Sequence, residues 1–317
     1  MNKVIRIGTR DSELALWQAN HVKDLLGSNG YRTEIVSVKS DGDLILDKPL
    51  YELGITGIFT KTLDIAMLNG TVDIAVHSMK DVPTQLPKGI VKAAVLKRAN
   101  TQDILVFKGD VKSLEGENTI IATGSLRRKA QWLHKYPKHK VEGLRGNVNT
   151  RLKKLNNSNW NGAVFAAAGL ERLDFIKKGN KIKSPSFGGV GEDLDWMIPA
   201  PAQGAMMVVA MENDTFSREA LEKLNHNETD ICTHIEREFL STLEGGCTAP
   251  IGALAKRHKN MLTFEGALFS LDGKEKIAIK KSVALEEFKN FGKICAEEVL
   301  QNGGRALMQQ IKNTLQS

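Results

Sequence analysis

The first half of the chain alternates between segments patterned as buried strands and segments patterned as amphipathic helices. Residues 4–8 (VIRIG) have the composition of a strand, and a helix is predicted to begin at Ser12. Its apolar residues recur four, three and four positions apart, which places them on one helical face: Ala15, Ala19, Val22 and Leu26. Such alternation predicts the α/β class, with mostly parallel sheets covered by helices on both faces.

The same pattern continues along the chain. Residues 119–125 (TIIATGS) predict a strand that enters the helix 126–136, and residues 162–172 predict a strand followed by a helix. The polar, glycine-rich stretch 177–196 is predicted to be a loop. A proline-containing crossing leads to residues 205–211 (AMMVVAM), which predict an apolar strand.

After about residue 216 the pattern changes. Two helices are predicted within 217–243, and two more near the C-terminus. Asp272-Gly273 lies between two alternating runs, a signal for a β-hairpin. We therefore expect a separate α+β domain at this end of the chain.

Composition narrows the classes of function. The net charge of +7 favours an anionic partner. The three cysteines are widely spaced, so neither a disulfide framework nor a C-x-x-C metal pair is predicted, and reduced thiols in the cytoplasm fit best. The sequence shows no signal-peptide pattern at residues 1–10 and no apolar run long enough to span a membrane.

Three predicted strand-to-helix turns carry arginines. The basic and hydroxyl residues at these turns are Arg10 and Ser12, then Ser125, Arg127 and Arg128, then Arg145 and Arg151. Helix N-termini attract anions, and a guanidinium group matches a carboxylate or a phosphate. Taken singly, each turn is equally an ordinary solvated helix start with a serine N-cap.

The kind of anion is also constrained. The sequence has no P-loop and no G-x-G-x-x-G after a strand, which disfavours nucleoside triphosphates and dinucleotides. Aromatic residues make up only 6% of the chain and the arginines stand singly at strand ends, which disfavours nucleic acid. Discrete carboxylates on a small molecule suit this arrangement better.

Three further places are candidates for function. Lys80 and Asp81 follow an apolar strand, where open α/β sheets bind ligands, and an aspartate there can stabilise a cation or move a proton. The alternative for Lys80 and Asp81 is a surface ion pair or a turn cap. His77, inside the strand, is predicted to be a core residue.

Residues 52–62 are either a lid or a turn. Cys247 follows two glycines, which would let a bulky group approach its sulfur.

Six motifs occur together in a fixed order. They are RIGTRDSELALWQA (6–19), DIAVHSMKDVPTQLP (73–87), GSLRRKAQ (124–131), LRGNVNTRL (144–152), AAAGLERL (166–173) and LEGGCTAPIGA (243–253). In this order they resemble the porphobilinogen deaminase family, also called hydroxymethylbilane synthases. The resemblance covers about residues 4–255, and the pair VHSMKDVP and LEGGC is its most specific part.

The resemblance implies a three-domain fold. Domains 1 and 2 would be lobes like those of periplasmic binding proteins, each with a mostly parallel five-stranded sheet. The chain would cross between them twice, with the strand 205–211 returning to the first lobe. Domain 3 would be a small α+β domain with a three-stranded antiparallel sheet, carrying the cysteine on a loop that faces a cleft. The predicted boundaries are 1–98 plus 200–216 for domain 1, 99–199 for domain 2 and 217–317 for domain 3.

The resemblance also implies an activity. Members of the family are transferases of haem biosynthesis that join four porphobilinogen molecules into linear hydroxymethylbilane, releasing ammonia. One covalent dipyrromethane cofactor per chain would be held through a thioether to Cys247. A cytoplasmic monomer with no nucleic-acid, membrane or metal partner is expected. The alternative from the lobes alone is a non-catalytic, two-lobed solute-binding protein for an anionic small molecule.

Matching positions imply roles for individual residues. Asp81 would be the catalytic carboxylate. The cofactor would be bound by Cys247, Lys80, Asp81, Ser125, Arg127, Arg128 and Arg145, and the substrate by Arg10, Ser12, Arg145, Arg151, Arg172 and Gln203.

Some positions depart from the family pattern. Thr56 replaces a lysine of the lid, Asp41 replaces an arginine, and Ala122 and Ala202 replace glycines. The segment 180–197 is longer than in common forms, and the sequence assigns it no role.

Overall fold

The computed structural model describes residues 3–39, 60–108, 116–177, 180–243 and 249–316. The chain divides into two compact units. Within the described ranges, the first unit combines residues 3–39, 60–99 and 204–231, and the second combines the described residues of 100–203 and 232–316. The three-domain boundaries given above stay a prediction.

The described ranges contain strands β1 to β15 and helices α1 to α9. In chain order they are β1 (Val4–Thr9), α1 (Glu13–Ser28), β2 (Arg32–Ser37), α2 (Lys61–Leu68), β3 (Ile74–Ser78), β4 (Ile90–Val95), β5 (Asp103–Phe107), β6 (Ile120–Ala122), α3 (Leu126–Lys135), β7 (Lys140–Glu142), α4 (Val148–Asn157), β8 (Gly162–Ala166), α5 (Ala167–Arg172), β9 (Ile176–Lys177), β10 (Lys181–Ser184), β11 (Phe187–Asp193), β12 (Met206–Met211), α6 (Thr215–Glu222), α7 (Asn227–Thr242), β13 (Ile251–His258), β14 (Met261–Phe269), β15 (Lys276–Ala284), α8 (Phe291–Val299) and α9 (Arg305–Gln316).

The first unit is built on a sheet with the strand order β2-β1-β3-β12-β4. The β1–β2 and β1–β3 ladders are parallel, whereas β12 runs antiparallel to β3 and β4. The return of 205–211 to this sheet is therefore confirmed.

Helix α1 begins where the sequence predicts. The Oγ of Ser12 accepts a hydrogen bond from the Ala15 amide at 3.4 Å and caps the helix. The predicted apolar face is buried, and Ala19, Val22 and Leu26 pack in one cluster with residues of β1, β3 and β12. Burial of this face fixes α1 against the sheet.

The second unit contains a longer sheet than predicted, with the order β7-β6-β8-β5-β11-β10-β9. The β6–β7 and β6–β8 ladders are parallel, and the other four ladders are antiparallel. The α/β class is confirmed, but this sheet differs from a mostly parallel one of five strands, because β5 runs antiparallel to β8 and because β9, β10 and β11 extend the sheet.

The loop predicted for 177–196 is wrong, because β10 and β11 form a hairpin there. Its glycines are needed inside a strand. A Cβ atom on Gly189 would lie 2.5 Å from the Phe187 ring, and one on Gly191 would lie 2.5 Å from Cδ1 of Ile104. Close packing within β11 and against the neighbouring strand β5, rather than a flexible turn, therefore explains these glycines.

The C-terminal region of the second unit contains the predicted antiparallel sheet, with the order β13-β14-β15. The predicted hairpin turn is confirmed, and Gly273 takes φ +75°, which glycine adopts without strain. Helices α8 and α9 confirm the two predicted C-terminal helices. Within the described ranges, none of the helices combines the length and apolar content that a membrane crossing requires.

Candidate functional site

In the first unit, two predicted site segments share one edge of the sheet. Strands β1 and β3 are parallel neighbours, with Ile7 opposite Ile74. The turn with Arg10 and Ser12 follows β1, and the turn with Lys80 and Asp81 follows β3. Both turns therefore lie at the carboxyl edge, the usual ligand edge of such sheets.

A partly buried hydrogen bond joins the two segments. Nε2 of Gln18 on α1 donates to Oγ of Ser78 at 2.8 Å. His77 is buried in β3, as predicted, and burial together with the nearby charge of Arg10 lowers its pKa to about 4. His77 is thus neutral near pH 7, and it places no second positive charge beside Arg10.

The turn after β3 holds Lys80 and Asp81 between two buried anchors. It is a single 3-10 turn, Met79–Asp81, with the Met79 and Val82 side chains buried on either side. The Met79 amide donates to the Ala205 carbonyl at 3.0 Å. Lys80 and Asp81 themselves are half-buried, so the turn presents both charged groups from a fixed backbone.

In the second unit, three segments meet at a corresponding edge. Strand β6 is parallel to β7 and β8, so the segments that follow all three strands lie on the same side. Ser125 follows β6 and caps α3, Arg145 follows β7, and α5, which ends with Arg172, follows β8. A Cβ atom built on Gly124 would lie 4.0 Å from Cδ of Arg145, which puts the first two turns side by side.

Helix α4 starts close to the second of these turns. Asn147 is its N-cap and accepts a hydrogen bond from the Thr150 amide at 2.9 Å. Arg151 lies in the first turns of this helix and is half-buried. The sequence analysis named Arg145 and Arg151 but missed Asn147, although an asparagine before a helical pattern is a usual N-cap signal.

Arg127 and Arg128 are buried rather than exposed. Nη2 of Arg127 lies 2.8 Å from Oδ2 of Asp103, and Nη2 of Arg128 lies 2.8 Å from Oδ1 of the same carboxylate. Gln203 donates from Nε2 to Oδ1 of Asp103 at 3.0 Å. Asp103 therefore brings Gln203 together with the adjacent Arg127 and Arg128. The sequence analysis missed Asp103; a lone carboxylate opening the apolar run DILVF was the available signal.

Burial removes water from three arginines of this edge and lowers their pKa values. Burial lowers the pKa of Arg145, and it lowers the pKa of Arg172 to about 10 although the charge of Glu171 acts in the opposite direction. Burial also lowers the pKa of Arg127, whose Nε is buried with no hydrogen-bond partner among the described residues. Partly dehydrated cations of this kind gain most from an added anion.

Two of the three cysteines lie within the described residues. Cys247 lies outside them, as do Asp41 and residues 52–59 of the predicted lid, which include Thr56. Cys232 and Cys295 are buried, and desolvation raises the pKa of Cys295 to about 11. Both buried thiols are poorly placed to carry a bulky substituent.

The two carboxyl edges belong to an α/β protein. Their turns begin helices and carry cationic side chains, which suits a ligand with several carboxylates. Two family models match the chain: "Porphobilinogen deaminase, dipyromethane cofactor binding domain" over residues 5–219 and "Porphobilinogen deaminase, C-terminal domain" over residues 231–301. The chain belongs to the porphobilinogen deaminase family. The predicted class, a transferase of tetrapyrrole biosynthesis with a dipyrromethane cofactor, is confirmed by this membership.

Relatives match over nearly the whole chain. The chain is 39% identical to the porphobilinogen deaminase of Chloroherpeton thalassium, over 98% of this chain and 99% of that protein. It is 40% identical to that of Nitratiruptor sp., over 96% of each, and 42% identical to the chloroplastic protein of Oryza sativa, over 85% of this chain and 75% of that protein. Among solved structures, an ancestral cationic amino acid solute-binding protein is 15% identical, with a TM-score of 0.42, over 70% of this chain and 87% of that one.

The described residues fit a dipyrromethane group. Each of its pyrroles carries an acetate and a propionate, so it needs several cationic or N–H donors. The second unit offers two capped helix N-termini, the half-buried guanidinium groups of Arg145 and Arg172, and a buried Nε on Arg127. This donor set matches carboxylates.

Proposed function

We propose that this chain joins porphobilinogen molecules head to tail into hydroxymethylbilane, with Asp81 as the catalytic carboxylate and Cys247 as the thioether anchor of the cofactor. The observation that carries the proposal is that the turns with Arg10 and Asp81 follow adjacent parallel strands at one sheet edge, within a chain of this family. The alternative, a solute-binding protein without catalysis, is not favoured by the family.

Asp81 is proposed to act on the cation that porphobilinogen forms when it loses ammonia. A carboxylate near that cation stabilises it electrostatically and can take up the proton that leaves the attacking pyrrole carbon. The buried anchors Met79 and Val82 support this role, because they hold the carboxylate in place without closing it off from a ligand.

The remaining residues are proposed to hold carboxylates. Lys80, Ser125, Arg127, Arg128 and Arg145 would serve the cofactor, and Arg10, Ser12, Arg145, Arg151, Arg172 and Gln203 would serve the substrate. Capped helix starts at Ser12, Ser125 and Asn147 support carboxylate binding at these turns, since each offers N–H donors and a positive dipole end.

Cys247 is proposed as the anchor on the family motif and on the state of the other two cysteines. Cys232 and Cys295 are both buried, and the raised pKa of Cys295 keeps it a thiol. When bound, dipyrromethane supplies the pyrrole carbon on which chain growth starts. The protein's part is to hold its carboxylates and to keep Asp81 within reach of the reacting unit.

Product stoichiometry tests the function. Purified protein incubated with porphobilinogen is expected to release one ammonia per porphobilinogen consumed and one hydroxymethylbilane per four. Porphobilinogen bound without ammonia release would favour the solute-binding alternative instead.

We also propose a cytoplasmic monomer without nucleic-acid or membrane partners. Light scattering tests the oligomeric state: a solution mass well above 34.9 kDa would contradict the monomer.

A further inference from the structure

Asp103 is a fully buried carboxylate at the first position of β5. Strand β5 runs antiparallel to β8, with Asp103 opposite Ala166, the last residue of β8. The amino end of β5 therefore lies at the edge where β6 and β8 end. Asp103 thus shares the edge that carries Ser125 and Arg172.

Asp103 receives several donors at once. Its Oδ1 accepts from Nε of Arg128 at 3.0 Å, from Nη2 of Arg128 at 2.8 Å and from Nε2 of Gln203 at 3.0 Å. Its Oδ2 lies 2.8 Å from Nη2 of Arg127. One carboxylate consequently orients two neighbouring guanidinium groups.

Backbone carbonyls fix the other side of each guanidinium group. Nη1 of Arg128 donates to the Val164 carbonyl at 2.8 Å, and Nη1 of Arg127 donates to the Ile198 carbonyl at 2.7 Å. Gln131 exchanges two further hydrogen bonds with the backbone of Ile198, at 2.8 and 2.9 Å. The two arginine side chains are therefore held on two sides by defined partners.

The charges of Asp103, Arg127 and Arg128 do not cancel. Two guanidinium groups share the carboxylate of Asp103, and their other described contacts are neutral carbonyl oxygens. Both arginines are buried, where an excess positive charge is poorly solvated. The lowered pKa of Arg127, caused first by burial and further by Arg128, agrees with such an excess.

We propose that Asp103 is a positioning residue for the reaction: it fixes Arg127 and Arg128 and compensates one of their two charges, so that the pair favours one carboxylate of the oligopyrrole. This inference rests on the proposed function. It differs from the carboxylate-binding roles above because Asp103 acts through the arginines and does not touch the ligand.

The matched control is a similar ion pair away from the predicted site. Asp73 accepts from the backbone amide, Nε and Nη2 of Arg6 at 2.8, 3.0 and 2.8 Å, and it lies just before β3, at the opposite end from Asp81. Asp73→Asn removes a carboxylate from an arginine without disturbing the carboxyl edge. Asp103→Asn makes the same change at that edge, and Asp103→Glu keeps the charge.

The experiment follows formation of the covalent adduct. Cofactor-free wild-type and variant chains are incubated with porphobilinogen, and intact mass gives the rate at which the adduct of two porphobilinogen units less two ammonia appears. Asp103→Asn is expected to load roughly 10- to 100-fold more slowly, the effect of losing a hydrogen-bonded charge. Asp103→Glu should recover part of the rate, and Asp73→Asn should load like the wild type even where its unfolding midpoint falls.

Loading is measured at a temperature at which circular dichroism shows each variant folded. If Asp103→Asn does not fold, Asp103→Glu replaces it, since it keeps the charge but moves it by one methylene; it should fold and still load more slowly than the wild type. Loading of the folded variant at the wild-type rate overturns the role of Asp103. A wild-type chain that never acquires the adduct instead overturns the proposed function itself.

Discussion

Gly124 and Leu144 approach so closely that a Cβ atom on Gly124 would lie 2.5 Å from the Leu144 carbonyl oxygen. This contact joins the turn after β6 to the turn after β7. Those turns carry Ser125 and Arg145, two residues of the proposed carboxylate-binding set. Their spacing therefore depends on the missing side chain of one glycine.

Gly124→Ala should separate these two turns, because a backbone carbonyl cannot move aside cheaply. We expect the free energy of unfolding to fall by about 1–3 kcal/mol and the fraction of chains carrying the cofactor to decrease, as measured by denaturant unfolding and intact mass. Gly27→Ala is the control, since a Cβ atom on Gly27 meets nothing within 4 Å. Unchanged stability and cofactor content in Gly124→Ala would contradict the account.

Asp81→Asn should remove the proposed catalytic charge while keeping the shape of the side chain. Turnover of the loaded enzyme is expected to fall on the order of 10²- to 10⁴-fold, the usual contribution of a positioned acid or base, with the unfolding midpoint little changed. Asp24→Asn, an exposed aspartate on α1, is the control and should turn over normally. Normal turnover in Asp81→Asn would remove Asp81 from the mechanism.

His77 should make the protein acid-sensitive. Its pKa is about 4 in the folded chain and 6.5 as the ordinary value, because burial and the charge of Arg10 oppose protonation. Below pH 6.5 the unfolded chain binds this proton first, so stability falls as the pH drops from 6.5 to 4 and this loss is complete below pH 4. The total is roughly 3 kcal/mol.

The check is urea unfolding of the wild type and of His77→Gln at several values between pH 7.5 and 4. The difference between the two isolates His77 from the carboxylates that also titrate there. The wild type should lose more stability with acid than the variant. Parallel pH profiles would show that His77 is not held neutral.

Ala202 occupies a conformation that glycine tolerates better. Its φ is +63°, it is buried, and its amide donates to Oε2 of Glu236 at 2.6 Å. Ala202→Gly, the residue that the family pattern has there, should raise the free energy of unfolding by up to about 1 kcal/mol. In Ala205→Gly, the control, φ is not positive and stability should fall. A loss in Ala202→Gly as large as in this control would contradict the strain.

Much of the fold follows from local pattern. The spacing of Ala15, Ala19, Val22 and Leu26 predicted α1, and Ser12 and Ser125 proved to be N-caps. The turns with Arg10, Asp81 and Ser125 were predicted because each follows an apolar strand, whereas Arg172 was predicted only from the family resemblance. These signals lie in short stretches of sequence, so they can be interpreted without knowledge of tertiary packing.

Other features depend on strand direction and packing, which local pattern does not contain. The glycines of β11 suggested a loop, whereas contacts with Phe187 and Ile104 require them in a strand. A mostly parallel sheet would put the start of β5 at the opposite edge from Ser125. Because β5 is antiparallel to β8, Asp103 reaches Arg127 and Arg128, and this pairing could not be predicted.

The covalent anchor is the most direct test of the whole account. Intact mass of the purified protein, followed by peptide mapping, should show two porphobilinogen units less two ammonia on the peptide that contains Cys247. Cys247→Ser should have the bare mass and no turnover, whereas Cys295→Ser, if folded, should keep the adduct. A turning-over protein with the mass of the bare sequence, or an adduct on another residue, would contradict the central claim.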